Sequence, residues 1–178
     1  MNLATIRPGL ATLIASMSGL TTVWEDAARP FGMTAPSVPA FVMLSTVSLI
    51  GLGRDECRTA FDADAPLNEE LSDTYIGQRA WVVQVRVESE VQTDSGNADV
   101  YLEQIREQIR FTGNRAALDA LNVAYQSASQ RVNLSQVIDG RMRSIVAADF
   151  TFTVATTTTD LNAYGYVATA TLVSEITT

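Results

Sequence analysis

A thirteen-residue alternation of apolar and polar side chains from Arg79 to Val91 constrains this fold more than any other feature of the sequence. Successive side chains of a strand point to opposite faces, so this pattern predicts a strand with one face on a core and one in water. The apolar positions are Trp81, Val83, Val85, Val87 and Val91, and the polar ones are Gln84, Arg86, Glu88 and Glu90. A strand longer than the usual length of about 5–6 residues should project beyond its sheet.

The remaining periodicities predict helices and further strands around this one. An amphipathic N-terminal helix on Ile6, Leu10, Leu13, Ile14 and Met17 ends at Gly19, a short strand follows at Thr22 to Glu25, and a mostly apolar strand from Phe41 to Leu52 could be covered on both faces. A helix begins at Ala98 and ends at Gly113, and Asn114 caps a second short helix. A closing hairpin consists of strands at Met142 to Val154 and Tyr164 to Ile176 with a Thr-rich tip at Thr156 to Asp160. This order predicts one α+β domain over residues 1–178, an antiparallel sheet of four to five strands with helices packed on one face and projecting hairpins.

Two segments lack regular periodicity. Residues 29–39 contain three prolines and read as a loop or an arm, with Phe31 and Met33 as exposed anchors on a neighbouring molecule. Residues 55–73 contain seven carboxylates and read as an exposed acidic connection that includes a short extended segment at Arg58 to Phe61. An ordinary surface loop is the alternative for residues 29–39. Calcium binding is the alternative for residues 55–73, but they contain no Asp-x-Asp-x-Asp-Gly loop, so a solvated acidic loop is the better interpretation.

The composition argues against catalysis. The chain has no histidine and a single cysteine, Cys57, so it lacks the usual neutral-pH proton carrier, the commonest zinc ligand and any intrachain disulfide. The net charge of −8 disfavours a general affinity for nucleic-acid phosphates. All 12 basic residues are arginine, whose planar fork suits ion pairs between subunits as well as in solvent. We therefore predict no enzyme activity, cofactor or metal.

The sequence also argues against a membrane location. The uncharged run from Val38 to Gly53 is shorter than the about 20 apolar residues that span a bilayer, and it contains Ser45, Thr46 and Ser48. It is better explained as a strand, and the chain as a cytoplasmic protein.

Six short stretches, in order along nearly the whole chain, carry a family resemblance. They are Ile6-Arg7-Pro8-Gly9-Leu10; Val23-Trp24-Glu25-Asp26 with Arg29-Pro30-Phe31; Gly51-Leu52-Gly53-Arg54-Asp55-Glu56; Gly77-Gln78-Arg79; Ala98-Asp99-Val100-Tyr101-Leu102; and Arg141-Met142-Arg143-Ser144. In these stretches the sequence resembles the tail-terminator, or neck-terminator, proteins of tailed bacteriophages.

The resemblance implies a structural virion protein at the junction of tail and neck, assembled in the cytoplasm of a host bacterium. Such a protein forms a homohexameric ring on the end of the tail tube, stops tube polymerisation and joins the tail to the neck and head-completion proteins. Its partners would be its own copies, the tail tube protein, the neck protein and the tail sheath where one exists. DNA would only pass through the lumen, which carboxylates would keep from binding phosphates.

The family transfers no catalytic residues, so we predict contact residues instead. These are Trp24, Phe31 and Met33 as apolar contacts, with Arg54, Arg79, Arg141 and Arg143 pairing across subunits with Asp55, Glu56 and Glu69. Arginines that flank strands are more often solvated than interfacial, which is the alternative for these four.

Two other functions fit the sequence. A head-closure, adaptor or tail-tube protein of a phage-like particle would share the sheet-plus-helix plan. A small-ligand or carbohydrate-binding module would use Trp24, Trp81 and the tyrosines as a platform. Trp81 lies on the apolar face of its strand, so we expect it to be buried, which disfavours the platform.

Overall fold

The computed structural model of the chain describes residues 3–25, 39–61, 71–90, 96–138 and 141–160. These residues form three helices and eight strands, in the order α1 (Leu3–Ser18), β1 (Thr21–Trp24), β2 (Ala40–Gly51), β3 (Glu56–Phe61), β4 (Leu71–Ser89), α2 (Ala98–Gln108), α3 (Thr112–Ala120), β5 (Val123–Ala128), β6 (Val132–Asn133), β7 (Gln136–Ile138) and β8 (Arg141–Asp160).

The strands form one mixed sheet in the order β1-β2-β4-β8-β5, with β3 paired to β4, and β6 and β7 paired to β8. β1 and β2 are parallel, and the other pairs are antiparallel. The predicted α+β class is confirmed, but a purely antiparallel sheet of four to five strands was wrong. The segment between Trp24 and Ala40 is long enough for the crossover connection that a parallel pair requires. The additional strands β3, β5, β6 and β7 are too short for an alternating pattern to reveal them in the sequence.

The main core lies between the three helices and one face of the sheet. Its buried side chains are Ile6, Leu10, Leu13, Ile14 and Met17 of α1, Leu102 and Ile105 of α2, Leu118 of α3, Trp81, Val83, Val85 and Val87 of β4, and Val146, Ala148, Phe150, Phe152 and Val154 of β8. The apolar stripe predicted for the first helix and the alternation predicted for β4 are therefore confirmed. Trp81 lies opposite Phe152 in the sheet, with ring centroids 6.1 Å apart.

The ends of the helices follow from local chemistry, with one error in the prediction. Gly19 adopts a left-handed φ of 70° after α1, the conformation that favours glycine, so the predicted stop is confirmed. The side chain of Asn97 accepts a hydrogen bond from the backbone N–H of Asp99 and caps α2. Gly113 does not separate the helices as predicted but lies inside α3, whose cap is Phe111. Asn114 instead donates to the carbonyl of Gln108 at 2.7 Å, at the end of α2.

The long strands extend further than predicted. β4 begins at Leu71, eight residues before Arg79. The Thr-rich segment from Thr156 to Asp160 is the end of β8 and pairs with Asp73–Gly77, because threonine favours extended backbone and finds a partner there. The predicted return strand at 164–176 lies outside the described residues. β2 is buried only as far as Leu44 and becomes largely exposed beyond it, so the expectation of cover on both faces holds for its first half alone.

The predicted acidic connection is shorter than residues 55–73. Glu56–Phe61 is strand β3, and it pairs antiparallel with Leu71–Ile76 at the start of β4. The extended segment predicted at Arg58 to Phe61 is thus part of a full strand. Of the predicted connection, residues 62–70 lie outside the described residues, as do residues 29–38 of the predicted Pro-rich arm. In the part of the chain that the structure describes, we find no helix long and apolar enough to cross a membrane.

Candidate assembly surface

One end of the sheet projects beyond the core. Val154 of β8, which pairs with Arg79 of β4, is the last core residue at this end, and both strands continue to Asp73 and Asp160, which pair with each other. At about 3.3 Å per residue, the six further residues extend the sheet by about 20 Å. We call this projection, made of residues 51–61, 71–79 and 155–160, the arm. Its strands are ordered by backbone pairing rather than by packing under the helices.

An ion pair holds the turn at the root of the arm. The guanidinium of Arg79 donates two hydrogen bonds to the carboxylate of Asp55, at 2.6 Å and 2.5 Å, in a bidentate fork. The hydrogen bonds from Arg79 hold the pKa of the Asp55 carboxyl below its ordinary value, and the same contact raises the pKa of Arg79. The fork ties the segment after β2 to β4, so β3 begins at a defined place beside β4.

A glycine makes room for this ion pair. A Cβ atom built on Gly77 would lie 2.1 Å from Oδ1 of Asp55 and 2.5 Å from a terminal nitrogen of Arg79. Atoms cannot approach so closely, so any side chain at position 77 would displace the fork. Gly77 is buried, and the carboxylate of Asp55 occupies the space that a side chain there would fill.

The edge strand of the arm is fully exposed. All six residues of β3 are exposed, and among the described residues β3 pairs with β4 alone. Arg58 donates to Glu56 at 2.8 Å in a pair that remains in solvent, and the hydrogen bond from Arg58 lowers the pKa of Glu56. Cys57 between them is an exposed thiol. A strand edge that stays unpaired within its own chain can pair with a strand of another molecule.

Exposed apolar side chains lie in the arm and at its root. Leu49 and Ile50 at the end of β2, Leu52 after it and Phe61 at the end of β3 are between 41% and 66% exposed. We call these four residues the arm surface. The register spreads them along the sheet, because Leu49 and Ile50 lie opposite Trp81 and Ala80 whereas Phe61 lies opposite Leu71. Exposed apolar residues spread in this way are common on proteins.

A second apolar group lies at the other end of the sheet. Val132 of β6, Leu134 beside it and Val137 of β7 are between 46% and 67% exposed. We call these three residues the corner surface. β6 and β7 pair with the first residues of β8, whereas the arm contains its last residues. Arg143 of β8 lies opposite Gln136 in this corner.

The predicted contact residues are divided between the core, the arm and the corner. Trp24 is buried: its indole stacks on Trp81 with centroids 5.8 Å apart, donates to the carbonyl of Arg7 at 2.9 Å and lies under the Arg7 guanidinium. Its apolar face is thus used inside the chain. Trp81 is also buried, as its position on the apolar face of its strand predicts.

Two of the predicted contact arginines pair with carboxylates of the same chain. Arg79 pairs with Asp55, as described above, and Arg143 donates to Glu90 at 2.7 Å. A second Arg143 nitrogen lies 3.9 Å from the buried Glu88. These two arginines were predicted to pair across subunits, and spacing along the sequence does not reveal which carboxylate the fold brings near. Arg54 is exposed in the turn after β2.

Four predicted contacts cannot be placed by their side chains. Arg141 begins β8, where its backbone pairs with Ile138, and Phe31, Met33 and Glu69 lie outside the described residues. The residues that sequence reasoning missed are those of the arm and corner surfaces. Leu49, Ile50 and Leu52 lie at or just after the end of an apolar strand, and the sequence predicts that strand to be buried.

The described residues offer little for ligand chemistry. They contain no group of three or more His, Cys, Asp or Glu side chains that could hold a metal. An open groove of about 470 Å³ runs along the outer side of α2 between Val100, Phe111 and Arg131. Arg131 crosses it to Asp99 at 3.2 Å. The groove holds no nucleophile beside a base, so it suggests a surface contact rather than a reaction centre.

No protein-family model matches the sequence, and no curated protein matches it at a significant level.

Proposed function

We propose that this chain is a structural subunit that forms a ring on the end of a phage-like tail tube, stops tube polymerisation and joins the tail to the neck. The observation that carries the proposal is the arm, a sheet end that projects about 20 Å beyond the core and includes the exposed strand β3, which pairs with β4 alone among the described residues. A subunit of an assembly has a use for such an edge, whereas a solitary globular domain exposes it to unwanted pairing.

The energetic reason is the burial of apolar surface. Fully burying an exposed Leu, Ile or Phe side chain contributes about 1.5–3 kcal/mol before the cost of association, and a side chain that starts 41–66% exposed gains the corresponding part of that. The arm surface contains four such side chains. Their burial in an assembly, together with backbone pairing along β3, could supply the free energy that a specific protein contact needs.

The terminator role itself is supported by the sequence resemblance. Three of the stretches that carry the resemblance lie in or beside the arm and corner: Gly51 to Glu56, Gly77 to Arg79 and Arg141 to Ser144. The partners we propose are copies of the chain in a hexamer, the tube protein and a neck protein, in the virion. The net charge of −8 suits a lumen through which DNA slides without binding.

The alternative functions make different use of the same surfaces. A head-closure, adaptor or tube protein would also assemble through the arm. A carbohydrate platform built on Trp24 and Trp81 is disfavoured, because the two indoles stack on each other inside the core. We therefore rank the terminator first and the other assembly roles second.

The test is a tube-assembly reaction followed by light scattering and electron microscopy. We expect the chain, alone or on contact with tube protein, to form a ring particle that sits on tube ends and shortens the mean tube length at low molar ratio. Incorporation along lengthening tubes would favour a tube protein instead. A compact monomer that never associates with itself or with tube at any ratio would contradict the proposal.

A further inference from the structure

We infer that the groove along α2 binds an arginine side chain of a partner protein, which pairs with Glu107 and lies on the ring of Phe111. The inference goes beyond the proposed function and does not depend on it, because the groove is lined by α2 and residues beside it rather than by the arm. It names both the chemistry of the partner and the two residues that recognise it.

The first reason is the charge of the groove. Its lining contains the carboxylates of Asp99, Glu103 and Glu107 and, among the described residues, one cation, Arg131. The three acidic residues are four positions apart along α2, so they form a row on one side of the helix. Carboxylates that outnumber the cations beside them favour a positively charged partner.

The second reason is that the row is neutralised at one end only. The guanidinium of Arg131 lies 3.2 Å from the carboxylate of Asp99 and 3.9 Å from that of Glu103, and Arg106 lies 3.0 Å from Glu103. Glu107 is exposed and pairs with no cation in the part of the chain that the structure describes. The groove thus already accommodates one guanidinium, and the Glu107 end is open to a second one.

The third reason is the aromatic ring beside Glu107. Phe111 follows Glu107 by four residues, is 60% exposed and lines the same groove. A guanidinium can pair with a carboxylate through its edge while its flat face lies on an aromatic ring. The ammonium group of lysine has no flat face, so this combination of carboxylate and ring favours arginine.

The shape of the groove favours a side chain of a protein over a free small molecule. Pockets for small ligands enclose most of the ligand surface, whereas this groove of about 470 Å³ is open along the outer side of α2. Val100, which is 41% exposed, lies about 16 Å from Phe111 along the helix. An extended chain covers that distance in about five residues, so Val100 can contact an apolar residue near the arginine of the partner.

A peptide titration of the whole chain, followed by NMR, tests the site. The probe is acetyl-Leu-Ser-Ala-Ser-Arg-amide, and two matched peptides carry lysine or citrulline in place of arginine. Citrulline keeps the planar shape of arginine without its charge. We expect the arginine peptide to shift the backbone amide resonances of residues 100–111 and to bind more tightly than the lysine peptide. The citrulline peptide should cause no shift at the same concentration.

Variants separate a specific site from general attraction to an acidic protein. Glu107→Gln removes the proposed carboxylate at an exposed position and should raise the Kd of the arginine peptide about three- to fivefold. Phe111→Ala should weaken binding of the arginine peptide more than that of the lysine peptide. The control Asp119→Asn removes an exposed carboxylate of α3 outside the groove and should leave the Kd unchanged.

Three results would overturn the inference. They are equal binding of the citrulline and arginine peptides, equal losses in Asp119→Asn and Glu107→Gln, and shifts of the same amides that appear on raising the protein concentration without peptide. The last result would make a second copy of the chain the occupant instead of another protein. The tube-assembly reaction tests the proposed function separately, so failure of the peptide to bind leaves the terminator role standing.

Discussion

The two halves of β4 are held in place in different ways. From Trp81 to Val87 its alternate side chains are fully buried under the helices, whereas from Leu71 to Arg79 the strand is held by pairing with β3 and β8 and by the fork at its root. The comparison teaches that stability within the chain and the capacity to assemble are located in separate lengths of one strand. Substitutions can therefore affect one property without the other.

The largest expected effect is in the core half. Trp81→Ala removes a fully buried indole that stacks on Trp24 and contacts Phe152, and it should lower the free energy of unfolding by about 3–5 kcal/mol. Phe61→Ala in the arm should change it by less than about 0.5 kcal/mol. Urea unfolding of both variants gives the comparison. Similar losses for the two would mean that the arm and the core are not separate.

The next largest loss of stability is expected at Glu88, a buried carboxylate on the other face of the core half of β4. Glu88 accepts from Arg86 at 2.7 Å with a side chain only 7% exposed, so Glu88→Ala leaves a half-buried guanidinium without that acceptor. We expect a loss of about 1–3 kcal/mol in urea unfolding. The matched control Glu56→Ala removes an ion pair in solvent in the arm and should have little effect. Equal losses of unfolding free energy in the two variants would contradict this expectation.

A smaller and local effect is expected at the root of the arm. Gly77→Ala places a Cβ where the Asp55 carboxylate lies, so the fork to Arg79 must open. Amide hydrogen exchange should become faster in β3 and in the first residues of β4, with the amides of Val83 and Val85 unchanged. Gly53→Ala, at a glycine whose Cβ would meet nothing within 4 Å, is the control. Unchanged exchange in β3 would show that the fork does not order the arm.

The smallest effect is a dependence of the arm on pH. Because the pKa of Asp55 is lowered in the folded chain, its pair with Arg79 stabilises the fold fully above the ordinary carboxyl pKa, and this contribution disappears as the pH falls through the lowered value. The side-chain carboxyl resonance of Asp55 should titrate below that of a solvated aspartate, and Arg79→Gln should move it upward. A titration of Asp55 that Arg79→Gln leaves unchanged would rule out the fork as the cause.

What the sequence could predict was local. The alternation from Trp81 to Val87, the stripe of α1 and the stop at Gly19 follow from side-chain spacing, and each is found in the structure. The class of the fold followed from the order of these elements. The parallel pairing of β1 with β2 depends on contacts far apart in sequence, which no local period records.

The candidate site was less predictable for the same reason. Asp55 and Arg79 were both singled out, but their meeting within one chain depends on a turn that places residues 24 positions apart side by side. Trp24 ends a strand of four residues, too short for a period to show that its indole faces the core. The arm surface could not be separated from core strand by apolar content alone, because Leu49 and Ile50 are as apolar as Val42 and Leu44 but are exposed where those two are buried.

Amide hydrogen exchange of the wild-type chain, free and assembled on tube ends, tests the role of the arm most directly. If the arm is the assembly surface, the amides of β3 and of the end of β2 should exchange rapidly in the free chain and become strongly protected in the particle. The amides from Trp81 to Val87 should be protected in both. Equal exchange of β3 in the free and the assembled chain would contradict assembly through the arm.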